Sequence, residues 1–130
     1  MKVEQLNGAN LAFIGDAYYE LFIRRHLLEK KITNQKELQK LSVTYVSAKA
    51  HHQIISKLSS MLTAEEEAIF KRGRNHKFHG FRKNLKKEEY LSSSGFEAVI
   101  GYLYLKGNFE RLNELLERSI EIIETGNSNE

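Results

Sequence analysis

Cysteine is absent from the 130 residues, so neither a disulfide nor a thiolate metal site can form. Nothing points to an oxidising compartment. Proline is absent as well, and without a residue that removes a helical N–H the chain is free to build long helices. Long apolar runs are missing. The stretch from Leu11 to Leu28 is interrupted by Asp16, Glu20, Arg24 and Arg25, which argues against a signal peptide and against a membrane span. The cytoplasm is the expected location. Repeats, low-complexity segments and linkers are not found, and two-residue alternation is nearly absent, so a β-rich fold is not expected.

What remains is an ordinary soluble composition, 41% hydrophobic and 28% charged, at a length that suits one domain with its own core. The net charge of +3 is mild, so its distribution matters more than its sum. Helical spacing dominates. Ile14, Ala17, Tyr18, Leu21 and Leu28 predict an amphipathic helix over about residues 8 to 30. Asn34 to Glu37 has the form of a helix start, with a short helix through Leu38 and Leu41. Tyr45, Ala48, Ile55 and Leu58 predict helix over residues 44 to 60, and Thr63-Ala-Glu-Glu66 has the form of a capping box for a helix that fades near Gly73. Asn75 to Glu89 reads as a loop, with a short helix near Leu85 to Tyr90. Ser92-Ser-Ser-Gly95 precedes a strongly apolar helix that stops around Gly107. Phe109, Leu112, Leu116, Ile120 and Ile123 form the last helix, ahead of a polar tail from Thr125 expected to fray. The expected fold is all-α, one domain of about six or seven helices.

Two acids sit where charge is costly. Asp16 interrupts an apolar helix. It either lies on the solvent face beside Glu20, or, with Gly15 clearing space, coordinates a cation. Glu97 opens the most hydrophobic helix. It either completes a capping box from Ser94, or, with Gly101 one turn on, stands beside a partner helix, a metal or a substrate. Eight of the 20 Lys and Arg residues crowd into one stretch, Lys71, Arg72, Arg74, Lys77, Arg82, Lys83, Lys86 and Lys87, uninterrupted by acid and interleaved with Phe78, Phe81, His76 and His79. Such a run is either a solvated loop or a phosphate-binding surface. His51 and His52, adjacent on a helix, point about 100° apart and do not converge on a metal. Glu20 is either solvated or paired with Arg24, and Tyr102 and Tyr104 fit core or an interface better than base stacking.

Taken together, Leu11-Ala-Phe-Ile-Gly-Asp-Ala17 and Ser94-Gly-Phe-Glu-Ala-Val-Ile-Gly-Tyr-Leu-Tyr-Leu105, with their acids about eighty residues apart, resemble the two signature blocks of the ribonuclease III catalytic domain. Val46-Ser-Ala-Lys49 and Lys71-Arg-Gly-Arg-Asn75 are similar to the short subfamily, Mini-ribonuclease III, that consists of this domain without a separate double-stranded-RNA-binding domain. The resemblance runs from about Leu6 to about Ile123. The larger enzymes carry acids where this chain has Ala9, Ala12 and Ser94, so only Asp16 and Glu97 remain of their cluster.

The resemblance implies a homodimeric endoribonuclease for double-stranded RNA that leaves 5′-phosphate and 3′-hydroxyl ends. Asp16 and Glu97 would be its catalytic residues and the ligands of Mg2+, with Mn2+ able to substitute. Magnesium is ordinarily held by one or two carboxylates plus waters and phosphates, so two acids suffice for one ion. Arg72, Arg74, Asn75, Lys77, Arg82, Lys83, Lys86, Lys87 and Lys49 are the expected RNA contacts. The helix from Phe96 is the expected contributor to the dimer patch. The implied substrate is a paired stem in the precursor of large-subunit (23S) ribosomal RNA. The competing readings are a non-catalytic RNA-binding or ribosome-associated protein on the same fold, motivated by the missing acids, and a helical protein-interaction module, which leaves the basic run unexplained.

Overall fold

Asn7 starts the first helix. Its side chain accepts the Asn10 N–H at 2.8 Å while Asn10 accepts the Asn7 N–H at 3.4 Å, a reciprocal cap that satisfies two donors at the start of α1 (Gly8–Glu29). The computed structural model describes residues 1–75 and 87–128. The buried side of α1 is Leu11, Ala12, Gly15, Tyr19, Ile23 and Leu27. The stripe expected to face the core is a different one: Ala17, Leu21 and Leu28 are exposed, and Ile14 and Tyr18 only half-buried. The helix carries two apolar stripes, and spacing alone does not say which of them meets a neighbour.

Asn34 caps α2 (Gln35–Val46) by accepting the Glu37 N–H at 3.1 Å. The single helix expected over residues 44 to 60 is broken at Ser47. That residue leaves the helical region and its hydroxyl accepts the Ala50 N–H, ending α2 and starting α3 (Ala48–Leu58). After a 3₁₀ turn over Ser59–Met61 comes α4 (Ala64–Arg74), where Thr63 and Glu66 cap each other as the sequence predicts. The buried Glu66 carboxylate also takes two hydrogen bonds of 2.9 Å from the Arg111 guanidinium, tying the start of α4 to the last helix.

The largest departure lies before Glu97. α5 runs from Lys87 to Leu105, so Ser92, Ser93 and Ser94 are buried inside the helix and do not start it. The expected short helix near Leu85 to Tyr90 is, from Lys87 on, the first turn of α5. Phe96, Ala98, Val99, Ile100, Tyr102 and Leu103 are buried along with the serines, so α5 is apolar almost all round, as befits a helix at the centre of a bundle. α1, α3, α4 and α6 (Phe109–Ser128) pack against it. Gly107, at φ 73°, lies just past its end, as expected. α6 continues to Ser128, past the point at which its tail was expected to fray; Asn129 and Glu130 lie outside the described residues. The described chain is all-α, and none of its helices is long and apolar enough to cross a membrane.

Candidate active site

The site is made by a helix crossing. A β-carbon on Gly15 would lie 1.7 Å from the Glu97 carbonyl oxygen, and one on Gly101 would lie 2.0 Å from the Leu11 carbonyl oxygen. α1 and α5 therefore touch backbone to backbone, which only glycine permits at these positions. Asp16 follows Gly15 on one helix, and Glu97 lies one turn before Gly101 on the other. The crossing thus brings together two acids far apart in sequence, with their carboxyl groups hydrogen-bonded to each other. Glu97 is in mid-helix, so the capping alternative is gone. Asp16 is exposed, as the solvent-face alternative expects, yet it also meets Glu97.

The electrostatics follow from this placement. The Glu97 side chain is 17% exposed. Burial, then the hydrogen bond to Asp16 and the negative charge of Asp16, push its carboxyl up to about 10. Glu97 therefore keeps its proton at neutral pH. A divalent cation fits the place of that proton: it pairs with both charges and accepts hard oxygen donors, with water completing its shell. Among the described residues no group of three or more His, Cys, Asp and Glu side chains is placed to hold a metal ion.

His51 reaches the same place from α3. It is fully buried, with Nδ1 2.7 Å from Ser93 Oγ and 3.9 Å from Glu97 Oε2. Burial lowers its pKa to about 4 despite the opposing charge of Asp16. The imidazole is neutral at neutral pH, and the approach to Glu97 is not an ion pair. His52 Nδ1 lies 3.1 Å from Ser92 Oγ. In the sequence these histidines register only as a pair that does not converge on a metal, and the approach of His51 to Glu97 is not legible there. The available signal was Ser93 standing one turn before Glu97, but nothing local in the chain relates either residue to α3.

The basic residues fall into two groups. Arg72 Nη1 donates to the Leu6 carbonyl at 3.2 Å and to that of Glu4 at 3.5 Å, holding the N-terminal segment against α4. Arg74 Nη2 lies 3.1 Å from both oxygens of Glu88, joining the end of α4 to the start of α5. Asn75 closes α4 and is exposed, as are Lys87 and, in the first turn of α3, Lys49. Lys77, Arg82, Lys83 and Lys86 lie outside the described residues. Glu20 pairs with Arg24 at 2.9 Å. Tyr102 is buried and donates to Glu65 at 2.5 Å, and Tyr104 packs against Tyr18.

The model of the ribonuclease III domain family matches residues 9–108, a span that contains the α1/α5 crossing and both acids. The Mini-ribonuclease 3 of Streptococcus pneumoniae is 44% identical over 94% of this chain and 97% of its own length. That of Enterococcus faecalis is 43% identical over 98% and 96%. That of Symbiobacterium thermophilum is 44% identical over 89% of each chain. A crystal structure of a protein from Fusobacterium nucleatum superposes with a TM-score of 0.81 at 32% identity, covering 90% of this chain and 93% of that one.

Proposed function

The chain belongs to the ribonuclease III family, with Mini-ribonuclease 3 proteins among its relatives, and from that premise we propose that it is a magnesium-dependent endoribonuclease that hydrolyses double-stranded RNA. The observation that carries this reading is the contact between the Asp16 and Glu97 carboxyl groups inside the matched domain. A protein that kept the fold and lost the chemistry would have no need to bury one carboxyl group against another. That tells against the non-catalytic alternative.

Asp16 and Glu97 are the proposed ligands of the metal, which when bound activates a water and neutralises charge on the scissile phosphate. Asp16 is the exposed member, so the RNA backbone approaches from its side. Glu97 closes the inner side, where the packed crossing excludes water. The duplex is held by the catalytic domain itself, through Lys49, Arg74, Asn75, Lys87 and the intervening basic run. Arg72, committed to backbone carbonyls, acts chiefly by anchoring the N-terminal segment. The proposed natural substrate is a paired stem of the precursor of large-subunit ribosomal RNA, in the cytoplasm.

A homodimer completes the reading. The helix from Phe96, expected to contribute to the dimer patch, is buried from Ala98 to Leu103, and Phe96 itself is 1% exposed and belongs to the core. Among the described residues an exposed apolar face lies instead on α1, where Phe13 is 81% and Leu21 66% exposed with Ala17 between them, next to Asp16. A second copy seated there buries a self-complementary stripe and sets two sites side by side, one for each strand. Purified protein with labelled RNA duplex, with and without Mg2+, tests the activity: metal-dependent cleavage of duplex but not of single strand is expected. Binding without cleavage would establish the non-catalytic reading instead. Leu21→Arg is expected to yield monomers in sedimentation, and an unchanged dimer would remove α1 from the interface.

A further inference from the structure

His51 is poorly explained as a packing residue. Its ring is enclosed by Tyr19 and Phe96, each with its centroid 4.9 Å away, in a setting that a phenylalanine would fill. Its Nε2 is buried without a hydrogen-bond partner, a cost that an apolar ring would avoid. What the imidazole provides that phenylalanine cannot is Nδ1, and that atom faces Ser93 and Glu97 on consecutive turns of α5. A buried N–H without a partner is rarer than a lone pair without one, so the favoured tautomer carries its proton on Nδ1 and donates towards α5.

We propose that His51 is a positioning residue for the active site: through Nδ1 it holds the Ser93 hydroxyl, one turn before Glu97, to α3, sets its own N–H dipole 3.9 Å from Glu97 Oε2, and so fixes the direction in which Glu97 faces the metal. The proposal rests on the reading of Asp16 and Glu97 as metal ligands. Glu97 is approached from two helices, by Asp16 from α1 and by His51 from α3. Where only two carboxylates serve one ion, the orientation of each matters more than in a crowded cluster. Side chains that orient metal ligands from behind typically contribute ten- to a hundred-fold in metal affinity or activity. His51 touches neither substrate nor metal in this scheme and acts through Glu97.

The test separates positioning from packing by measuring stability and metal binding apart. Full-length wild type, His51→Phe, His51→Asn and His51→Gln are compared by thermal melting without metal, by Mn2+ titration followed by electron paramagnetic resonance, and by Mg2+-dependent duplex cleavage. His51→Phe is expected to melt no lower than wild type while binding Mn2+ about 10- to 100-fold more weakly and cleaving correspondingly slowly. His51→Asn places an amide N–H where Nδ1 sits and is expected to melt lower than His51→Phe yet bind Mn2+ more tightly. Opposite orders of stability and metal affinity are what a packing role cannot produce. Mn2+ affinity of His51→Phe equal to that of wild type overturns the proposal. Should His51→Phe fail to fold, His51→Asn against His51→Gln decides, because glutamine reaches the Nε2 position instead: tighter binding by Asn supports the proposal, and equal binding overturns it. Wild type that binds no Mn2+ overturns the metal reading itself and this inference with it, whereas wild-type binding matched by every His51 variant overturns the role of His51 alone.

Discussion

Glu97 and Glu124 are both half-buried glutamates on long helices, and their surroundings treat them in opposite ways. Glu97 faces another carboxylate, and burial and that neighbour together push it up to about 10. Burial would also push Glu124 up, but Lys30 Nζ at 2.5 Å, His26 Nε2 at 2.9 Å and the Tyr45 hydroxyl at 2.8 Å all converge on its Oε2, and they outweigh burial to bring it to about 2. One acid is left with a neighbour that repels it, and the other is surrounded by donors. The second arrangement ties α1, α2 and α6 into one body. The first adds no such tie and is the place of the proposed cation site.

The strongest way to break the comparison is to remove the repulsion. Glu97→Gln, and likewise Asp16→Asn, is expected to lower Mg2+-dependent cleavage of duplex RNA by about a thousand-fold or more, on the scale of losing a principal electrostatic group of an active site. The metal-free melting temperature should hold or rise, because a carboxyl that had to share a proton is replaced by an amide that need not. Near-wild-type cleavage by either variant would take that residue out of the mechanism.

The next test leaves the acids in place and moves the helices that carry them. Gly15→Ala introduces a methyl that would stand 1.7 Å from the Glu97 carbonyl oxygen, so α1 and α5 must separate. A cost of about 3 kcal/mol is expected, at the upper end of ordinary overpacking because the obstacle is backbone. Denaturant unfolding measures the stability, and cleavage should fall with it. Ala17→Gly, two residues on and on the exposed face, should be mild. Equal effects from the two would mean the crossing is not what sets the geometry.

The α1 and α5 segments also show how much of the fold is legible in the sequence. The caps at Asn34 and Thr63 were legible because a cap is local: the residues that satisfy one another lie three apart. The Gly-Asp and Phe-Glu blocks were legible as a resemblance. The start of α5 was not, because Ser92-Ser-Ser-Gly95 has the composition of a helix start. Those small residues are there to let α3 and α4 approach, and Gly95 lies against Phe70 of α4. The core face of α1 was misassigned for a related reason: Leu21 and Phe13 are as apolar as Leu11 and Ile23, and only the position of α5 decides between the stripes. Likewise, His51 and Ser93 are 42 residues apart, and no spacing rule connects them.

Breaking the other half of the comparison should leave catalysis alone. Glu124→Gln removes the acceptor charge that Lys30, His26 and Tyr45 share. The Glu124 side chain is 34% exposed, so solvent screening reduces the effect to an expected loss of about 1–2 kcal/mol at neutral pH, with duplex cleavage per folded molecule unchanged. The sign fixes the pH window. A carboxyl held below its ordinary value contributes stability that is fully present above the unfolded-state value near 4.5, and loses it as pH falls towards about 2. Wild type and Glu124→Gln should therefore converge in stability on acidification through that range. A difference that persists at pH 2 would place the contribution of Glu124 in packing and not in charge.

The smallest effect on stability is expected at Glu88, a third acid, exposed and paired with Arg74 across the two ends of the undescribed segment. Exposed pairs of this kind contribute roughly 0–1 kcal/mol, so Arg74→Ala should barely move the melting temperature. Its consequence lies in RNA binding. An arginine held by an exposed carboxylate can exchange that partner for a phosphate, and losing one phosphate contact reduces the slope of log affinity against log salt by about one unit. The fourfold alanine variant at Arg72, Arg74, Arg82 and Lys83 should reduce it further, with the share of Arg72 the smallest because its guanidinium is already engaged by the carbonyls of Glu4 and Leu6. A salt titration in which the fourfold variant keeps the wild-type slope would show that the duplex is held elsewhere on the domain. A slope that changes with a melting temperature that does not would mark Glu88 as a holder of Arg74 until RNA arrives, neither structural like Glu124 nor part of the proposed active site like Glu97.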